Sequence, residues 1–233
     1  MFTVITGGSR GLGKAFVEQF LGLGFDVVTC GRNADTLKQL VADMQVQYPN
    51  QKVLIYPADL SKITDTQQFA DFVLNNCPQI EVLINNAGVF VTGTLQTEPD
   101  YLLEQIMQTN VYAPYYLTKK LLPHFIAKQG GHIFNISSVA GNTILNNCMA
   151  YTISKHALIG FSHSLRNELK QHQVKVTTVI PSAILTDSWS GVDLPPNRLM
   201  PAEDIAQAIA DAYKLSKRTV IEDIVLRPML GDI

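Results

Sequence analysis

Tyr151-Thr152-Ile153-Ser154-Lys155 sets a phenol and an ammonium four residues apart. On a helix, residues at i and i+4 share a face, so the two groups stand side by side. A free phenol has a pKa near ~10, and an adjacent ammonium favours the phenolate and lowers it. A helix N-terminus acts in the same direction. The pair is therefore suited to moving a proton, although Tyr-x-x-x-Lys taken alone recurs by chance. A second feature with chemistry in it is Thr6-Gly7-Gly8-Ser9-Arg10-Gly11-Leu12-Gly13, between a strand pattern and a helical one. Glycines there let the backbone approach a pyrophosphate, which the N–H groups and dipole of the following helix stabilise. The spacing is Gly-x-x-x-Gly-x-Gly, so the commoner Gly-x-Gly-x-x-Gly template fails. Gly22 and Gly24 end the helical pattern and read as C-caps.

Nicotinamide dinucleotides are told apart at the end of the second strand, by an acid for the ribose 2'-hydroxyl or a base for a 2'-phosphate. Gly31-Arg32 stands at that place, with no acid, and Arg10 adds a second planar guanidinium on the same side. This favours NADP over NAD, against the alternative of two solvated surface arginines.

The elements that must carry these groups follow from the apolar pattern. Strand patterns cover 2–6, 26–30, 52–56, 81–85, 132–137, 175–180 and 219–226. Helical patterns cover about 12–23, 33–48, 64–76, 101–107, 111–128, 150–172 and 202–216. The alternation predicts an α/β fold, a doubly wound, Rossmann-like parallel sheet of seven strands with helices on both faces. Val82-Leu83-Ile84 and 176–180 are apolar almost throughout, as buried parallel strands are. No domain break is visible, so residues 1–233 read as one dinucleotide-binding and catalytic domain, interrupted by an irregular loop at about 182–201.

The 233 residues are 46% hydrophobic and 16% charged, against a usual charged share of about 25%. Disorder and coiled coil are excluded. A net charge of -2 with no block of like charge argues against nucleic acid. No apolar run reaches the ~18 to 20 residues of a membrane helix. Cys30, Cys77 and Cys148 are far apart and odd in number, the pattern of reduced thiols in a cytoplasmic protein. A strand pattern from Phe2 leaves no room for a signal peptide. The five histidines have no metal-ligand spacing, and no metal site is expected. Gly160-Phe161-Ser162-His163-Ser164 lacks the closing glycine of a nucleophile elbow and lies in a helical pattern.

Taken together, the glycine turn, Asn85-Asn86-Ala87-Gly88, Ser138 within Ile136-Ser137-Ser138-Val139-Ala140-Gly141, and Tyr151 with Lys155 resemble the short-chain dehydrogenases/reductases. The likeness is to their single-domain branch and runs over nearly the whole chain. It implies a catalytic tetrad of Asn110, Ser138, Tyr151 and Lys155. Ser138 is preferred to Ser137 because it directly precedes Val-Ala-Gly, and neighbours at a strand end point to opposite sides. The resemblance also implies cofactor contacts from Gly7, Ser9, Arg10, Gly11, Leu12 and Gly13. Asp59 and Leu60 would meet adenine, Asn86, Ala87 and Gly88 the adenosine ribose side, and Pro181 and Thr186 the nicotinamide. Tyr151 and Lys155 would also touch the cofactor. One departure is Pro181-Ser182, where the family has Pro-Gly.

The reading is a cytoplasmic, NADP-dependent oxidoreductase, NADPH preferred over NADH, interconverting a carbonyl and an alcohol by hydride transfer, with Tyr151 as general acid or base. The alternatives are a non-catalytic dinucleotide sensor or scaffold of the same fold, and an epimerase or dehydratase of the family's longer branch, whose glycine spacing and larger C-terminal region are missing. The expected partner is a small-molecule carbonyl or alcohol. Val89, Phe90, Val91, Ala140, Asn142, Leu145, Cys148, Leu185 and Trp189 are the candidate pocket residues. Relatives that reduce 3-oxoacyl groups on carrier protein carry basic residues at two helix ends. Lys128 stands at one here, but Gln171, His172 and Gln173 occupy the other. The segment Val111 to Ile126 is apolar nearly all round, which with the resemblance implies a homodimer or homotetramer. Pro114 has no N–H for the Asn110 carbonyl four residues back. It either holds that acceptor open for a proton relay or simply lies in a first helical turn, where proline is tolerated.

Overall fold

The computed structural model describes residues 1–186, 195 and 197–232. Its strands are β1 (Phe2–Thr6), β2 (Asp26–Gly31), β3 (Val53–Pro57), β4 (Ile80–Asn85), β5 (His132–Ile136), β6 (Lys175–Pro181) and β7 (Asp223–Leu226). Its α-helices are α1 (Gly11–Gly22), α2 (Ala34–Gln47), α3 (Ile63–Asn76), α4 (Leu102–Met107), α5 (Ala113–Lys128), α6 (Met149–Leu169) and α7 (Ala202–Lys214). Every neighbouring pair of strands is parallel, in the order β3-β2-β1-β4-β5-β6-β7. This is the seven-stranded, doubly wound α/β sheet that the alternation predicts. The order reverses between β1 and β4, and in such sheets ligands bind beyond the strand ends at that point.

The strands read as unbroken apolar runs because both faces are covered. Val4, Val28, Leu83, Ile133 and Val176 meet Phe69 of α3, Leu117, Leu121 and Phe125 of α5 and Leu165 of α6. Ile5, Val27, Ile84, Phe134 and Val179 meet Phe16 and Phe20 of α1, Leu40 of α2 and Ile205 and Ile209 of α7. Each such side chain contributes about 1.5–3 kcal/mol relative to exposure.

Several element ends shift by one to three residues from the sequence reading, and two differences have a structural cause. The last strand starts at Asp223 instead of Thr219, because Thr219 N–H closes a turn on Ser216 O and pairing with β6 begins where Asp223 faces Thr178. Gly22 is the last residue of α1 and no cap, whereas Gly24, at φ +84°, is the left-handed residue that closes the helix. Gly24 N–H donates to Leu21 O and Phe25 N–H to Phe20 O, with the two phenyl rings in edge contact at 5.6 Å. These bonds satisfy the last carbonyls of α1.

His132 lies buried at the start of β5, stacked on Phe134 at 3.8 Å. Thr177 Oγ1 donates to Ile221 O, so at 2.7 Å it accepts from His132 Nε2–H, which places a ring proton on Nε2. Its Nδ1 has no partner. Burial first, and then the charge of Lys175, push its pKa down to about 3 from 6.5. The unfolded chain therefore binds the extra proton between these values, and stability, full above pH 6.5, is lost as pH falls toward 3. The slope from this group approaches ~1.4 kcal/mol per pH unit. His132→Phe keeps the stack and removes the proton, so urea unfolding from neutral pH to about pH 5 should show a flatter dependence than wild type.

No helix among the described residues is long and apolar enough to cross a membrane.

Candidate active site

The turn after β1 is built so that only glycine fits. Gly7 and Gly11 take φ of +71° and +51°, the left-handed region that side chains disfavour. A Cβ on Gly13 would lie 2.0 Å from the Gly7 carbonyl oxygen, and one on Gly8 2.3 Å from Thr29 Oγ1. The Thr29 hydroxyl accepts from Gly8 N–H at 3.0 Å and donates to Ile5 O at 2.7 Å, which holds the turn against β2. Helix α1 then begins with no side-chain cap and no acid in its first turn. Such an end, with free N–H groups and positive dipole, suits a phosphate group. A dinucleotide therefore fits here, with Gly7 to Gly13 as its cradle.

Thr6 closes the junction of β1 and β4. Its hydroxyl accepts from the N–H of both Asn86 and Ala87 at 2.9 Å, and the Asn86 amide donates to Thr6 O at 2.9 Å and Gly7 O at 3.3 Å. The Asn86 side chain thus braces the glycine turn. Arg32 is exposed just after β2, where Gly31 replaces the acid of an NAD site. Arg10 precedes α1 with extended backbone. Asp59, after β3, accepts from Ser61 N at 3.1 Å and Ser61 Oγ at 2.8 Å. Burial pushes its pKa up, but the Ser61 bonds and the charges of Lys62 and Arg32 outweigh that and leave it lowered. The Leu60 side chain is buried in the core.

The other half of the site forms where Gly88, a wide turn before α5 and the start of α6 meet. Gly88 leaves the room they share, since a Cβ there would lie 3.4 Å from Asn110 Oδ1 and 3.7 Å from Lys155 Nζ. Asn110 sits in a π-helical turn, Gln108–Tyr112, closed by Ala113 N–H on Gln108 O. Pro114 follows as the second residue of α5, in keeping with the plainer expectation, but α5 runs on directly from the π turn. Lacking an N–H, Pro114 cannot supply the Asn110 carbonyl with an α-helical bond from four residues on. Widened turns of this kind recur at functional sites.

Lys155 Nζ donates to Ile136 O at 2.9 Å and lies 5.5 Å from the centre of the Tyr151 ring. Burial lowers its pKa to about 8 from 10.5. Ser138 caps the short 3-10 turn Val139–Gly141, accepting from Ala140 N at 3.2 Å, and its hydroxyl lies near enough to Tyr151 to favour the phenolate. Ser137 points elsewhere, donating to Lys155 O at 3.1 Å. The expected lowering of the phenol does not occur. Burial pushes Tyr151 up to about 12 from 10.0, the Ser138 hydrogen bond opposes this and Cys148 adds to it. Desolvation of the phenolate outweighs its neighbours, so the Tyr151 phenol is neutral at physiological pH.

The phenol is covered edge-on by Phe90, with ring centres 4.8 Å apart. Gly93 N–H donates to Asn147 O at 2.7 Å and pairs with Cys148, so the loop after β4 runs beside the loop before α6. Val89 in that loop packs against Leu102, Ile106 and Ala150, and Cys148 Sγ donates to Leu145 O at 3.6 Å. Phe90 and Leu185 are 53% and 64% exposed, which presents apolar surface to a ligand. Pro181 ends β6, and Thr186 lies 3.4 Å from the Cβ position of Gly11, bringing that segment to the glycine turn. Ser182, the departure from Pro-Gly, has its hydroxyl held at 2.5 Å by Asp232, which also pairs with Arg227. Trp189, with residues 187–194, lies outside the described residues.

Several features are absorbed by structure. Ser162 is buried in α6 and donates to Leu158 O, so it is no nucleophile. No cluster of three potential metal ligands occurs among the described residues. Lys128 is paired with Glu81 and donates to Ile80 O at 3.2 Å, which leaves little for docking a carrier protein. Thr6, Thr29 and Ser154 were not singled out by sequence reasoning, since single hydroxyl residues leave no spacing signal.

Residues 2–195 match the short chain dehydrogenase family model. The chain is a short-chain dehydrogenase. It is 31% identical to a sepiapterin reductase of Chlorobaculum tepidum over 99% of this chain and 97% of that protein. It is 36% identical to dehydrogenase/reductase SDR family member 7B of Bos taurus over 79% of this chain, but spans only 58% of that protein. A metagenomic short-chain oxidoreductase solved with NADP superposes with a TM-score of 0.86, at 32% identity, over 98% of this chain and 97% of that one. As members of this family are oxidoreductases named for dehydrogenase or reductase activity, this short-chain dehydrogenase is placed among enzymes, and the fold positions its polar groups at the sheet's reversal point.

Proposed function

We propose that this short-chain dehydrogenase is an NADPH-dependent carbonyl reductase in which Tyr151 donates the proton. The observation that carries the reading is the convergence of Ser138, Tyr151 and Lys155 beside Gly88, at the end of the sheet that also holds the glycine turn. When bound, NADPH supplies the hydride that the carbonyl carbon receives. Gly7, Ser9, Arg10, Gly11, Leu12 and Gly13 hold the pyrophosphate, with Asp59 and Leu60 at the adenine and Asn86, Ala87 and Gly88 at its ribose. Because the Leu60 side chain is buried, its contact comes through the backbone. Pro181 and Thr186 flank the nicotinamide, and Lys155 holds its ribose. Ser138 positions the substrate oxygen by hydrogen bonding, and the neutral Tyr151 phenol gives that oxygen its proton. Asn110 supports the relay that resupplies it. The relative named sepiapterin reductase supports the reductive direction.

Residues 1–233 act as one unit carrying cofactor and substrate sites together. A homodimer or homotetramer follows from the outer faces of α5 and α6, where Tyr115 and Ile153 are 43% and 44% exposed. A cytoplasmic setting is supported by three free, buried cysteines.

NADP preference rests on Arg32 and Arg10, and Arg32→Asp is expected to reverse it. A phosphate-binding charge is replaced by one that repels phosphate and binds a ribose hydroxyl. The loss with NADPH should be about 1.5–3 kcal/mol, or roughly 10- to 150-fold in kcat/KM. Kinetics with both cofactors tests this, and equal use of NADH by the wild type contradicts the assignment.

A further inference from the structure

We propose that Ser154 is a positioning residue, fixing the Asn110 carboxamide to the helical turn that carries Tyr151 and so setting the geometry of the proton-moving site. This rests on the reading of Tyr151 and Asn110 given above. Ser154 is fully buried in α6. Its Oγ donates to Tyr151 O at 2.7 Å and accepts from Asn110 Nδ2 at 3.0 Å. Asn110, itself buried, takes Val89 N–H on Oδ1 at 2.8 Å and gives its other amide hydrogen to Val89 O at 3.0 Å. Because an amide N–H only donates and a carbonyl only accepts, the Val89 pair fixes which way the carboxamide faces.

Three segments are thereby joined through one side chain: the loop after β4, the π turn and the second turn of α6. Both amide hydrogens of Asn110 and the one hydroxyl hydrogen of Ser154 are engaged within the protein. Asn110 therefore has no side-chain donor left for a ligand and acts through where its main chain lies. That main chain is in the widened turn, with Pro114 offering its carbonyl no N–H. The clamp also borders the ammonium, since the Cβ position of Gly88 is 3.4 Å from Asn110 Oδ1 and 3.7 Å from Lys155 Nζ. A serine that merely bonded the carbonyl three residues back would explain the donor but not the acceptance from Asn110.

The test is a double-mutant cycle of Ser154→Ala and Asn110→Ala, read as kcat and KM with NADPH and a carbonyl substrate, with thermal unfolding as the control for folding. Ser154→Ala should lower kcat roughly 5- to 10-fold at nearly constant KM. Ser154→Thr should recover most of it, since a helical threonine hydroxyl also reaches the carbonyl three residues back. The double variant should be no slower than Asn110→Ala alone, because Ser154 acts through Asn110. Should Ser154→Ala not fold, Ser154→Cys carries the same cycle with a weak donor and acceptor in the same space. Wild-type kcat in Ser154→Ala, or in Ser154→Cys where the alanine variant does not fold, or losses that multiply in the double variant, overturn the proposal. Tyr151→Phe assayed alongside separates the two levels: a fully active Phe variant removes the parent reading and this one with it, whereas an inactive Phe variant with multiplying losses removes Ser154 alone.

Discussion

Replacing Tyr151 by Phe is expected to leave the fold and NADPH binding near wild type while lowering turnover roughly 100- to 10,000-fold. The ring packs edge-on under Phe90 at 4.8 Å and lies 5.5 Å from Lys155 Nζ, and a phenyl ring keeps both contacts. What disappears is the hydroxyl, and with it the proton. The loss corresponds to about 3 to 5 kcal/mol of transition-state stabilisation. Unchanged turnover would show that the proton comes from elsewhere. The pH profile gives a second reading of the same site. With the phenol raised to about 12, Tyr151 stays protonated throughout the working range, while Lys155, lowered to about 8, loses its charge as pH rises past that value. The reductive rate should accordingly fall on the alkaline side near pH 8, well before the phenol ionises.

Gly13→Ala should be the most damaging alanine substitution among the described glycines. In an exposed helix the change would stabilise by up to ~1 kcal/mol, because alanine is the better helix former. Here the new Cβ would sit 2.0 Å from Gly7 O and 2.8 Å from Asn86 Nδ2, against backbone and a side chain that is itself braced. The turn must move, and overpacking of this kind costs about 1–3 kcal/mol or more. NADPH affinity should fall further than stability, because Gly7 and Gly13 shape the cradle itself. Gly22→Ala in the same helix meets nothing nearer than Tyr48 at 3.9 Å and should leave both properties intact. Calorimetric NADPH titration and thermal unfolding of the two variants give the comparison. Equal behaviour would mean that the close approach at Gly13 has no consequence.

The sheet was legible because parallel strands covered on both faces leave apolar runs such as Val82-Leu83-Ile84, and helices of period 3.6 separate them. Ends were less so: Ile63 and Met149 begin α3 and α6 one residue earlier than the pattern suggests. The polar positions of the site stood out where type and spacing are both unusual, as with Tyr151, Lys155 and the glycine turn. The direction of the phenol's pKa was not legible, since a sequence shows which charge is a neighbour and not how much water burial removes. Ser182 and Asp232 are likewise joined across fifty residues by a bond that no local pattern announces. Ser154 carried a visible place on the Tyr151 face of its helix but no sign of Asn110, which arrives from another element.

Hydride transfer is tested by NADPH carrying deuterium at both C4 positions of the nicotinamide, with mass spectrometry and NMR of the product formed from a ketone or aldehyde. One deuterium is expected on the carbinol carbon of the alcohol, with the hydroxyl proton drawn from solvent through Tyr151. NADPH bound tightly by the protein, with no labelled alcohol formed from any carbonyl in a panel of ketones, aldehydes and 3-oxoacyl thioesters, would contradict hydride transfer.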